Sequence, residues 1–342
     1  MDCNSKTVGQ MKLDTIVDAV SAIYASNDRH RSLWDVWCHA LHHCAAVAEE
    51  IRKQTLPGAD DAKLRQEIAD FSLWFFTMLA RLKGPIGNPK QLDEVPQDWV
   101  VRITVSPDDL MWNRYPGVCP WCYCATHADD SLEIDAHSFR QSCACDALNI
   151  ATRKKDRNEL HARAKRTRRL AAANKLRRPL HFDDWQDLVA SLYAERLKRA
   201  SLSEVALHLL EEMGDVSDGL IRMYAYRADD VIEDVIGMRQ LRLEDELADV
   251  LSWLLGLVDR LGLQDQKQST KYTSESPKEL PESRMLLSLI LWASYGSNEK
   301  RSFWCRYCQR VVCECPIVLL QHKKQVEELI AKLSGPASDG SR

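Results

Sequence analysis

The sequence predicts an all-α protein made of two tandem helical bundles, each followed by a four-cysteine knot and a tail helix. Three observations carry that prediction. First, the chain contains itself twice. Residues 18–41, DAVSAIYASNDRHRSLWDVWCHAL, lie without a gap over 187–210, DLVASLYAERLKRASLSEVALHLL, with nine of 24 positions identical, where ordinary composition gives about one or two. Second, apolar residues recur at spacings of three and four in LHLLEEMGDVSDGLIRMY and LADVLSWLLGLVDRLGL, the period of a helix with one buried face. Third, the parts come in the same order twice: helices, a polar Pro-containing stretch (84–109 and 264–283), then paired cysteines.

Along the chain, a helix is expected at 13–25, followed by two long antiparallel helices. A helix at 183–199 opens the second repeat in the same way. The second match places 64–84 over 243–263, so that Glu67, Asp70 and Trp74 fall on Glu246, Asp249 and Trp253. VVRITV at 100–105 is the main segment with strand alternation. The N-terminal repeat is expected over 1–178, with a zinc knot at 119–145 and a basic helix at 151–178. The C-terminal repeat is expected over 179–342, opening at Pro179 and carrying a second knot at 305–315. Two such bundles form an intrachain pseudo-dimer, and apolar helix faces left over would support a homodimer.

At 342 residues, 45% hydrophobic and 28% charged, the chain is long and apolar enough for substantial cores, which excludes wholesale disorder. With 46 Lys and Arg against 50 Asp and Glu, a net charge of −4 excludes a uniformly basic molecule, so any nucleic-acid surface must be local. No apolar run reaches the roughly 18 residues of a membrane span, and MDCNSKTVGQMKLD has no apolar core of a signal peptide. The expectation is a cytoplasmic protein with no membrane partner, whose 12 cysteines are thiols or metal ligands rather than disulfides.

Glu211, Glu212 and Asp215 stand at i, i+1 and i+4 of one helix; Glu246 and Asp249 at i and i+3 of the next. If the two faces meet, up to five carboxylates converge, and such a group repels itself unless a cation neutralises it. Oxygen ligands in this number suit Mg²⁺, above all where it also holds phosphates. The plainer alternative is a solvated acidic face. Against it, the acids interrupt the apolar stripes LHLL and LADVLSWLL.

EEMGD (211–215), followed thirty residues later by ELADVLSWLL (246–255), resembles the EExxE and ExxD motifs of the MazG-like all-α nucleoside triphosphate pyrophosphatases. The resemblance covers the two bundle helices of the second repeat and, more weakly, those of the first. It implies an Mg²⁺-dependent hydrolysis of (d)NTP to (d)NMP and pyrophosphate. Glu212, Asp215, Glu246 and Asp249 would be metal ligands, and Glu211 would support a second metal or the attacking water. Asp215 departs from the family, which usually has Glu there. LMWNRYPG (110–117) resembles the Asn- and Arg-containing segment that reaches substrate phosphates in that family, implying roles for Asn113 and Arg114. Its counterpart LWASYG (291–296) lacks both. A local turn leading into the cysteines is the other reading of RYPG.

In the first repeat, His42 and His43 replace the Glu pair and Ala46 replaces Asp215. Two imidazoles make a poor Mg²⁺ cage, so this half reads as degenerate. Sliding the frame to count Glu49 and Glu50 would break the alignment of His39 and Leu41. The acids are thus complete in one repeat and the basic segment in the other, which suggests a composite site in which Asn113 and Arg114 complete the carboxylates of the second repeat. Trp74 and Trp253 lie on the face of the ExxD acids, where an indole can stack on a nucleobase or pack in the core.

Cys119, Cys122, Cys143 and Cys145, and again Cys305, Cys308, Cys313 and Cys315, each offer four thiolates in paired spacing. This predicts about two structural Zn²⁺ ions. Cys124, His127 and His137 are rival ligands to the first, and a redox CxxC is the alternative. Residues 153–178 carry twelve Arg or Lys against Asp156 and Glu159. That run supports a rival function, a zinc-containing nucleic-acid-binding protein, although it has no aromatic residues for stacking on bases. A non-catalytic nucleotide sensor is the third reading, prompted by the degenerate half.

Overall fold

A computed structural model describes residues 8–25, 31–54, 61–82, 103, 105–123, 145, 157–224, 233–272, 285–297 and 302–315. Ten helices run through them: α1 (Leu13–Ala22), α2 (Leu33–Lys53), α3 (Asp61–Leu82), α4 (Pro107–Arg114), α5 (Arg157–Ala173), α6 (Phe182–Leu192), α7 (Ala194–Arg199), α8 (Leu202–Tyr224), α9 (Glu233–Tyr272) and α10 (Leu287–Tyr295). The fold is all-α, as its apolar periodicity predicts. Among the described residues the sheet content is one pair of two-residue strands, β1 (Gly296–Ser297) and β2 (Ser302–Phe303). Cys143, most of the first knot, most of VVRITV and the tail after the second knot lie outside the described residues.

The long helices begin where local chemistry starts them. Ser32 and Asp35 form a reciprocal capping box before α2, and Ser201 with Glu204 makes the equivalent pair of bonds before α8; each pair satisfies amide groups that the first turn leaves open. Helix α4 starts with Ser106 as cap and Pro107 in the first turn, a position where the missing N–H does no harm.

Helices α2 and α3 pack antiparallel. Residues early in one meet residues late in the other: Glu50 reaches Lys63, His43 reaches Glu67, and His39 stacks on Trp74. Helices α8 and α9 do the same, with Asp218 near Arg242 and His208 on Trp253. The expected 183–199 helix is divided. Tyr193 leaves the helical conformation between α6 and α7, and its ring lies 6.3 Å from Trp253 at 12°, a tertiary contact that the sequence period does not encode.

The two pairs of helices share one continuous core. Helix α2 packs on α8, where the indole N–H of the buried Trp37 donates to Ser217 Oγ at 2.8 Å. The short helices are exchanged between the halves: α4 of the first lies on α9 of the second, and α10 of the second lies on α3 of the first. This exchange carries residues of each half to the acidic face of the other.

Candidate functional site

Along α8 the buried stripe is Leu209, Met213, Val216 and Leu220; along α9 it is Leu243, Leu247, Leu251 and Leu254. Glu212 and Asp215 flank the first stripe, Glu246 the second, and all three are half-buried. The antiparallel packing brings their ligating oxygens within 4.8 Å of one another, a group able to hold a metal ion. Burial, with the charges of Asp249 and the neighbouring acids, pushes Glu212 up to about 9. The same causes, burial first, push Glu246 up to about 7. Burial and the neighbouring negative charges thus favour the protonated form of both carboxyls.

Asp249 stands apart from that trio because its charge is met from the other half of the chain. Arg114 Nε donates to Asp249 Oδ1 at 2.8 Å and Arg114 Nη2 donates to Oδ2 at 2.7 Å, a two-pronged bond between buried groups. The Tyr115 hydroxyl adds a third donor at 2.6 Å. Arg114 Nη1 also reaches Asp245 at 3.3 Å. From the basic helix α5, Arg168 donates to Asp245 at 3.0 Å and to Glu244 at 3.2 Å. Asn113 sits half-buried on α4 just before Arg114.

Two sequence candidates are placed differently from the trio. Glu211 projects outward and bonds His208 at 3.1 Å, because successive helical residues point about 100° apart. Trp253 is stacked on His208 at 4.5 Å and on Tyr193, with the Arg196 guanidinium 4.9 Å from its ring. Its ring is thus engaged by neighbouring side chains one turn beyond Asp249.

Sequence reasoning missed Asp245, Glu244, Arg168 and Tyr115. A signal existed for Tyr115, since Tyr is what RYPG and SYG keep in common. Arg168 is hidden within a basic run, where spacing cannot single out one arginine.

The first half repeats the arrangement with other chemistry. Asp70, the counterpart of Asp249, receives Arg306 at 3.0 and 2.9 Å, Gln66 at 2.9 Å and the Tyr295 hydroxyl. His43, at the position of Glu212, bonds Glu67 at 2.9 Å. His43, Glu67 and Asp70 are close enough for a metal ion, but each acid already has a basic or imidazole partner. His42 is exposed beside them.

Cys305, Cys308, Cys313 and Cys315 bring four sulfurs within 4.8 Å of one another, and Cys119, Cys122 and Cys145 bring three. The Cys305–Cys315 and Cys119–Cys145 sulfurs are 3.5 and 3.6 Å apart, close to the roughly 3.8 Å edge of a tetrahedron with zinc–sulfur bonds of about 2.3 Å. Each CxxC closes with the same turn: Tyr123 N–H donates to Cys119 O and Gln309 N–H to Cys305 O. Tyr123 and Gln309 both take positive φ, 49° and 57°. Burial pushes the Cys305 thiol up, but amide donors from Cys308 and Tyr307 outweigh it and bring it to about 7, favouring the thiolate that zinc binds. Both clusters can therefore hold zinc. Cys122 is disulfide-bonded, and a zinc cage there requires its reduction.

No protein-family model, curated protein or solved structure matches the chain. Among the described residues, no helix is long and apolar enough to cross a membrane.

Proposed function

We propose that the chain is an Mg²⁺-dependent nucleoside triphosphate pyrophosphohydrolase of the MazG-like kind, acting at Glu212, Asp215 and Glu246. The observation that carries this reading is the convergence of three carboxylates across α8 and α9, where burial and the neighbouring acids raise the pKa of Glu212 and Glu246. The resemblance of EEMGD and ELADVLSWLL to the motifs of those enzymes supports the same chemistry. When bound, Mg²⁺ supplies charge for the phosphates and lowers the pKa of a coordinated water. The chain's own residues do the rest by position. The trio on two packed helices would hold the cation, and Asp249 is held in register by Arg114 and Tyr115. Water attacks the α-phosphorus, and the bond to the bridging oxygen breaks to release pyrophosphate and the monophosphate.

The state of the basic helix also favours this reading over nucleic-acid binding. Arg163 is spent on the Trp121 carbonyl and ring and Arg168 on the Glu244–Asp245 pair, which removes two arginines from a surface for phosphates.

The test is pyrophosphate release from a panel of NTPs and dNTPs with Mg²⁺, wild type beside Glu246→Ala at matched zinc content. Turnover lost in the variant supports the enzyme. Tight nucleotide binding without turnover in the wild type would replace it by the sensor reading, and salt-dependent duplex binding without turnover by the nucleic-acid reading.

A further inference from the structure

The arginine that clamps the ExxD aspartate is stacked, in both halves, on the aromatic residue of a CxxC turn. In the first turn, Cys119-Pro-Trp-Cys122, the Arg114 guanidinium lies 5.3 Å from the Trp121 ring. In the second, Cys305-Arg-Tyr-Cys308, the Arg306 guanidinium lies 4.8 Å from the Tyr307 ring. The arginine comes from α4 in one case and from inside the turn in the other, yet the partners are the same: an aspartate of the opposite half and the aromatic at the tip of a cysteine turn. Two different routes to one arrangement indicate that the arrangement itself matters.

The first turn is held from outside as well. Arg163 of α5 donates to the Trp121 carbonyl at 2.6 Å, and its guanidinium lies 5.3 Å from the same indole. One turn further along α5, Arg168 reaches Asp245 and Glu244. On the other side, the Tyr193 hydroxyl lies 4.0 Å from Cys119 Sγ while its ring stacks on Trp253. The cysteine turn therefore reaches the acidic site through the contacts of Trp121 with Arg114 and of Arg114 with Asp249.

We infer that Trp121, carried by the first cysteine turn, is a positioning residue for the acidic site, acting through Arg114 on Asp249. The inference rests on Glu212, Asp215 and Glu246 being a cation site, as proposed above. The turn is closed by the Tyr123 N–H bond to Cys119 O and pinned by Arg163 on the Trp121 carbonyl; Trp121 supplies a π-face that a buried guanidinium favours; the oriented guanidinium holds Asp249 by two parallel bonds. Loss of the indole frees Arg114 to sample other directions, Asp249 loses its register, and the cage loses its pre-organisation.

The test uses the full chain with both clusters reduced and zinc-loaded, and Mn²⁺ as a paramagnetic stand-in for Mg²⁺. Mn²⁺ binding is followed by electron paramagnetic resonance. Trp121→Ala is expected to weaken Mn²⁺ binding about tenfold at unchanged zinc content, and Trp121→Phe, which keeps a π-face, to restore most of it. Tyr307→Ala makes the same change in the second turn, which faces Asp70, and is expected to leave Mn²⁺ binding unaltered. Should Trp121→Ala lose zinc or misfold, Arg163→Gln takes its place, since it leaves the cysteines and the indole intact and is expected to weaken Mn²⁺ severalfold. Equal Mn²⁺ affinity in wild type and Trp121→Ala would overturn the inference, as would an equal loss in Tyr307→Ala. Mn²⁺ binding that responds to Trp121 without any nucleotide turnover would sink only the hydrolase reading. A wild type that binds no Mn²⁺ would sink both.

Discussion

At the scale of single residues, the acidic site contains two kinds of carboxylate that the sequence does not tell apart. Asp249 has a full guanidinium and a tyrosine hydroxyl; Glu212 and Glu246 are pushed up to about 9 and about 7 by burial and then by the charges of Asp249 and the neighbouring acids. Between the ordinary glutamate value of 4.5 and those raised values, the unfolded chain has released protons that the folded one retains. The stability of the cation-free protein therefore falls as pH rises through that window. A divalent cation takes the protons' place, so the gain in melting temperature on adding Mg²⁺ is expected to widen from pH 5.5 to pH 8.5. A gain that is the same at both pH values would show that these carboxylates do not bind the ion. Asp249 gives a different outcome. Asp249→Asn takes from a buried arginine its two-pronged partner and leaves it Asp245, which is expected to cost about 3 kcal/mol in denaturant unfolding, whereas Glu211→Gln, on the exposed side of α8, is expected to stay within about 0.5 kcal/mol. Comparable losses in the two variants would mean that the clamp contributes no more than a surface residue.

At the scale of elements, the apolar period announced the helices and their buried faces, and the alignment of 18–41 with 187–210 announced that α2 and α8 are alike. It could not say which helix each face meets. Periodicity measures how often a side chain turns inward and carries no information about the partner, so the exchange of α4 onto α9 and α10 onto α3 was not legible. The break at Tyr193 was hidden for a similar reason: a ring stacked on Trp253 draws the backbone out of a helix that local propensity would continue. The cysteine turns were legible because their spacing is itself the geometry: two residues between thiols fix one turn. Their metal loading gives an element-scale prediction. Mass spectrometry of native, fully reduced and zinc-reconstituted protein is expected to show two zinc ions per chain, and protein in which the Cys122 disulfide is left closed is expected to show one. Chelation should remove both while far-ultraviolet circular dichroism keeps its helical signal, since the core is built from helix faces and not from the turns. Collapse of the helical signal on chelation would assign the metal a larger share of the fold.

At the scale of the whole molecule, the exchange makes each half part of the other's interior. Trp37 donates to Ser217, Phe76 packs edge-on to Phe182, and Phe182 N–H donates to Met11 O. Arg114 is buried against Asp249. Separating the halves would expose that apolar surface and leave both an arginine and an aspartate without a partner, so the covalent link between them is not what holds them together. Leu176 is fully exposed in the short 3₁₀ turn Lys175–Arg177 that joins α5 to the second half, and exposed turns of this kind accept insertion and cleavage. A protease site inserted there and cut is expected to give two polypeptides that still elute together at the size of the uncut 39.1 kDa chain, and that part only in denaturant. The same cut in an Arg114→Met background removes the clamp while leaving the apolar contacts, and should lower the denaturant concentration at which the pieces part. If the cut halves came apart in plain buffer, the contacts across α2, α8, α4 and α9 would be too weak to build a site from both, and the acidic cluster would have to be understood from the second half alone.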